Sequence, residues 1–217
     1  MGVFETVARI VELGGARQRA LRVAEMRAAF EAGTGAFAPE DAWFEERSRT
    51  FWCDAVTRGR FGREVEDELE SVEKAWLAPL ERAHRGIFRA EGRLLVDAWS
   101  GAELALTLVD DASLAELGAS SGQLFDARVV GLDSPLVVAL LPGAVFHARD
   151  ATAAIEPVLV EARARSLTTH DTLDALLRME RTMRSLSRVK ASYAYRAEAL
   201  SLRAPAVPVR RPVKESS

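Results

Sequence analysis

The sequence predicts an α+β protein: N-terminal helices, a small central antiparallel β-sheet or barrel, and C-terminal helices with a disordered tail. Three observations predict it. Apolar residues recur at steps of three and four through residues 1–85. Between 86 and 148, short alternating or fully apolar runs are separated by Gly, Pro and Ser-Gly turn signals. Helical spacing returns over 149–203, and 204–217 holds three prolines among basic residues and serines. These texture changes define the expected divisions: a helical segment 1–85, a β module 86–148, packing helices 149–203 and a tail 204–217.

Val3, Phe4, Val7, Ile10 and Val11 mark the first helix, which Gly14-Gly15 permits to break. A second helix is expected from about Ala16 to Glu31, stopped by Gly33-Thr34-Gly35. Pro39, Glu40 and Asp41 read as the first turn of a third, which carries Trp43, Phe44, Phe51, Trp52, Ala55 and Val56 on one side and ends at Gly59. The fourth has the clearest stripe, Phe61, Val65, Leu69, Val72, Trp76 and Leu80, with Pro79 expected to kink or end it.

Strands are predicted over 86–90, 94–98, 102–108, 125–129, 136–141 and 144–147, with turns at Glu91-Gly92, Ser100-Gly101, Gly131 to Pro135 and Pro142-Gly143. Their tight spacing suggests a bent antiparallel sheet or small barrel, because no helix crossover long enough for parallel strands is present. A helical turn is expected up to Leu117. Asp150 is expected to cap the next helix and Pro157 to bend it. Thr168 or Thr169 should cap one long final helix with a nearly heptad seam, Leu173, Leu176, Met179, Met183, Leu186, Tyr193, Ala197 and Leu200.

The chain has 217 residues and a formal net charge of −3, which disfavours a generally basic nucleic-acid binder. Only Lys74, Lys190 and Lys214 are lysine among 29 basic residues, a bias expected of a GC-rich bacterial genome. No apolar run is long enough to cross a bilayer, the first residues lack a signal-peptide pattern, and one cysteine cannot form an internal disulfide. A cytoplasmic protein is expected. Residues 64–73 hold six acids and no base, whereas 176–203 hold seven basic residues and two acids. The simplest expectation is that these two helices attract each other.

Catalytic patterns are absent. Gly33-Thr34-Gly35-Ala36 lacks the lysine of a phosphate loop, and no Gly-x-Ser-x-Gly elbow occurs. His84, His147, His170 and Cys53 lack metal-ligand spacing, so neither metal nor cofactor is expected. Cys53, among large aromatics, reads as a buried structural thiol. Asp97 and Asp126 are expected to face water or to pair with Arg93 or Arg128. The best binding candidate is the basic face of the last helix: Arg181, Arg184, Arg188, Lys190, Tyr193 and Arg196.

The expected function is therefore a non-enzymatic interaction or regulatory module that binds a macromolecular partner, such as a response regulator or a small GTPase, through charged amphipathic helices. A homo-oligomer is the second partner class; nucleic acid and membrane surface are disfavoured. Two alternatives stand: an enzyme with a polar site on the β module around Asp97, Asp126, Arg128 or His147, or an anionic-surface binder using the C-terminal helix and tail.

Overall fold

A computed structural model describes residues 2–110, 122–132, 136–186 and 190–201, with isolated positions 115, 117, 120 and 134. The predicted tail, 204–217, lies outside the described residues, as does most of the helical turn expected before Leu117.

Helix α1 (Val3–Gly14) buries Val3, Val7, Ile10 and Leu13 on its apolar stripe. A short 3-10 turn at Arg17–Arg19 leads into α2 (Ala20–Thr34), which stops where Gly35 takes φ +93°. Helix α3 (Phe44–Thr57) starts later than expected, because Asp41 is spent on a turn in which its carboxylate accepts from the Ala38 N–H at 2.8 Å. The stripe from Phe61 to Leu80 is not one helix. It divides into α4 (Phe61–Glu64), a 3-10 turn at Glu66–Glu68 and α5 (Ser71–Glu81), which contains Pro79. Of the expected stripe, Phe61, Val65, Leu69 and Leu80 reach one core and Trp76 packs against it half-buried, but Val72 is exposed and Leu77, outside the stripe, is buried instead.

Strands β1 (His84–Glu91), β2 (Leu94–Asp97), β3 (Glu103–Leu108), β4 (Leu124–Gly131) and β5 (Val137–Leu140) close in the order β1-β2-β3-β5-β4, with β4 returning to β1. Strand β6 (Val145–Phe146) adds to β4 outside the ring. Three consecutive antiparallel strands plus β4 beside the first make a Greek key, closed as a five-stranded barrel. One pair departs from the antiparallel expectation: β3 and β5 run parallel, Ala105 opposite Val137. No helix crossover is needed, since β4 itself carries the chain back between them. Phe88, Leu95, Leu104, Leu106, Phe125, Ala127, Val129, Val138 and Leu140 belong to one buried apolar cluster inside the barrel, and Asp97, opposite Phe88, shares that face at the end of β2.

After a 3-10 turn at Arg149–Ala151 come α6 (Thr152–Ala164), α7 (Thr169–Ser185) and α8 (Ala191–Ala194). Thr168 caps α7, accepting from the Asp171 N–H, as the sequence suggested; Asp150 caps nothing. The long final helix is corrected: α7 ends at Ser185, α8 and a 3-10 turn at Ala197–Ser201 follow, and of the expected seam Leu173, Leu176, Met179 and Leu200 are buried in one core while Leu186 and Tyr193 are exposed. The barrel is covered from two sides. Val130, Ala139 and Leu141 join the core of the N-terminal helices, while Ile87 and Leu124 join that of α6, α7 and α8.

The attraction between the two charged stretches is also corrected. Glu64 pairs with Arg22, Glu68 with Arg19, and Glu66 with Arg63, so the acids of 64–68 serve neighbours within the N-terminal segment. Arg184 bonds Glu46 and Glu180 instead, and Arg178 donates to the Gly33 carbonyl.

Candidate functional site

Strand β4 is buried along both faces except at Gly131, because helices cover its outward residues. Asp126 and Arg128, expected in or near water, are therefore enclosed. Arg85 stands opposite Arg128 in the β1–β4 register, an arrangement of like charges that requires acids. Arg85 grips Asp126 through Nε at 3.0 Å and Nη2 at 2.7 Å, and reaches Asp174 of α7 through Nη1 at 2.6 Å. Arg128 pairs with Asp54 of α3. Burial raises the Cys53 thiol to about 11 beside this layer, so it is inert as a nucleophile and fits the structural role expected of it.

A second buried group joins α3, α7 and the end of β6. Arg47 donates to the Leu177 carbonyl at 2.6 Å and to Glu180 at 2.5 Å. His147 is fully enclosed and bonds the Tyr195 hydroxyl through Nδ1 at 2.8 Å. Burial lowers this imidazole to about 4, so it is neutral at physiological pH. These groups stabilise the seams between barrel and helices; their charges meet one another rather than an opening.

An opening lies elsewhere among the described residues, at the barrel end where β1, β3 and β5 begin. A cavity of about 530 Å³ sits there. Leu104, Val129 and Val138 form its apolar part, and Arg82, His84 and Ser100 supply polar groups. Local sequence builds this rim. In Asp97-Ala98-Trp99-Ser100-Gly101, the Asp97 side chain accepts from the Trp99 N–H at 2.9 Å and from the Ser100 hydroxyl at 2.7 Å, and Gly101 takes φ +76°. Strand β1 overruns its last β2 partner, so His84 overhangs that turn and places Nε2 3.1 Å from Asp97 Oδ2.

Burial would raise the Asp97 carboxyl, but the bonds from His84, Ser100 and the Trp99 N–H outweigh it and hold the group below its usual range. A carboxylate only accepts, so His84 Nε2 carries the proton and Nδ1 remains as the ring's second polar atom. Ser100 and His84 both donate to the same Asp97 oxygen. The serine proton is thus committed to the carboxylate, not to the imidazole, and this is not the Ser-to-His relay of a hydrolase.

No family model, curated relative or solved structure matches this chain.

Of the six residues expected to bind a partner, the five that are described do not form one face. Arg184 is engaged with Glu46 at 2.6 Å and with Glu180. Arg181 is half-buried against Gly35, where an added Cβ would lie 3.0 Å from its Cδ. Arg188 lies outside the described residues. Lys190, Tyr193 and Arg196 are exposed beyond the end of α7, Tyr193 to 70 %. Not foreseen from the sequence were His84 as a partner of Asp97 and Arg82 as a lining residue of the cavity. The available signal was the Asp-x-x-Ser-Gly turn, which marks Asp97 as an anchor rather than a solvated strand residue. No group of three or more His, Cys, Asp or Glu residues suited to a metal ion occurs among the described residues.

Proposed function

We propose that the protein is a non-enzymatic binding module of the cytoplasm that takes hold of a macromolecular partner, with the barrel mouth as its receiving site. The carrying observation is the cavity of about 530 Å³, apolar within and edged by Arg82, His84 and Ser100. Its volume and its mixture of apolar surface with a few polar groups are those of ordinary ligand sites. The commitment of the Ser100 and His84 protons to Asp97 argues for holding over turnover. Lys190, Tyr193 and Arg196 are an auxiliary contact surface in this reading, carried by their exposure.

Ala102 is exposed and lines the cavity, so Ala102→Phe places a ring across the opening without entering the core. The variant should keep the melting temperature of the parent and lose the partners that the parent captures from a bacterial lysate. Replacing Lys190, Tyr193 and Arg196 with alanine should weaken capture only partly. An unchanged partner set with Ala102→Phe would end the reading of the mouth as the contact.

A further inference from the structure

Arg82 follows the last residue of α5 and lines the cavity, yet its guanidinium has no hydrogen bond or ion pair with any described residue. This differs from the arginines of the barrel seams, Arg47, Arg85 and Arg128, each paired with an acid. The acid beside Arg82 in sequence, Glu81, is taken by Arg63 at 2.5 Å. Asp97 already receives three donors, from His84, Ser100 and Trp99, so its charge is largely answered within the protein. A planar fork of N–H donors beside an apolar cavity is suited to a carboxylate attached to an apolar body.

We infer that the barrel mouth binds an apolar group bearing a carboxylate, with Leu104, Val129 and Val138 taking the apolar part and Arg82 facing the anion. Within the proposed function, on which this inference rests, the matching feature of a partner is a free chain terminus whose last residue is apolar. A small apolar acid offers the same chemistry.

The test titrates the whole 217-residue chain with four probes: the peptide Gly-Gly-Leu-Phe with a free C-terminus, the same peptide as its amide, octanoate and octanol. The free-acid peptide should bind about tenfold more tightly than its amide, and Arg82→Gln should remove that preference while leaving the amide unaffected. Ala102→Phe should abolish binding of every probe. Binding of octanoate in preference to octanol, without peptide binding, supports the same chemistry and assigns the source as a free acid. Equal binding of acids and their neutral counterparts, all lost in Ala102→Phe, overturns the carboxylate inference and leaves the mouth as the receiving site. Acid binding that Ala102→Phe leaves intact overturns the mouth reading and this inference together, and no binding by any probe overturns the inference.

Discussion

His147 shows how one enclosed side chain links stability to pH. Its ring is fully buried, faces the charges of Arg47, Arg184 and Asp126, and is lowered to about 4 by the loss of water. In the unfolded chain the same imidazole titrates near its ordinary value of 6.5. Below that value the unfolded state takes up a proton that the folded state refuses, so stability falls with pH until the folded ring also titrates. A displacement of this size corresponds to about 3 kcal/mol, all of it present above pH 6.5 and lost by about pH 4. His170, lowered by burial near Asp174 and Arg85, contributes with the same sign. Thermal melts of the parent should therefore shift downward across this window. His147→Asn should melt lower at neutral pH, through the cavity it leaves, but with a shallower fall on acidification. Parallel curves for the two proteins would remove His147 as a source of the acid sensitivity.

Strand β4 shows the same economy at the level of an element. Its inward residues Phe125, Ala127 and Val129 enter the barrel cluster, and its outward residues Asp126 and Arg128 meet buried partners beneath the helices. Asp126→Ala should cost about 3–5 kcal/mol in denaturant unfolding, because Arg85 keeps only Asp174 and part of its charge goes unanswered in a closed layer. Glu64→Ala removes a pair to Arg22 on the surface and should cost no more than about 1 kcal/mol. Equal costs would mean that the layer is wetter than its burial implies. This contrast also explains what could be read in advance. Six apolar runs became six strands, and Gly92 and Gly101 took the positive φ of the expected turns. Alternation along 125–129 separates two faces but does not say whether the outer face meets water or a helix, so the ionic layer was hidden. Apolar spacing likewise does not mark where a helix ends, which concealed the ends of α4 and α7. The mouth was least legible, since Arg82, His84 and Ser100 converge only after the barrel closes.

At the scale of the whole molecule, the barrel and the helices share structure rather than touching at one patch. The β5–β6 turn at Pro142-Gly143 lies against the backbone of α3, and Thr50 donates its hydroxyl to the Gly143 carbonyl at 2.9 Å. A Cβ on Gly143 would fall 2.7 Å from the Arg49 carbonyl carbon and the Thr50 nitrogen, at φ +93°. Backbone cannot yield as a side-chain tip can, so Gly143→Ala must push the turn from the helix or strain both. The helices on the far side depend on the same barrel, since Ile87 and Leu124 enter their core while Val130, Ala139 and Leu141 enter that of the N-terminal helices. Damage at Gly143 should therefore lower the stability of the molecule as a unit. Helical circular dichroism and the fluorescence of Trp99 in the β2–β3 turn, read with Trp43, Trp52 and Trp76 of the N-terminal helices replaced by phenylalanine, should report one shared transition, displaced to lower temperature by Gly143→Ala. A helical transition that stays in place while the Trp99 signal moves would show instead that the two layers are stable separately, and that the shared seams are contacts without cooperative weight.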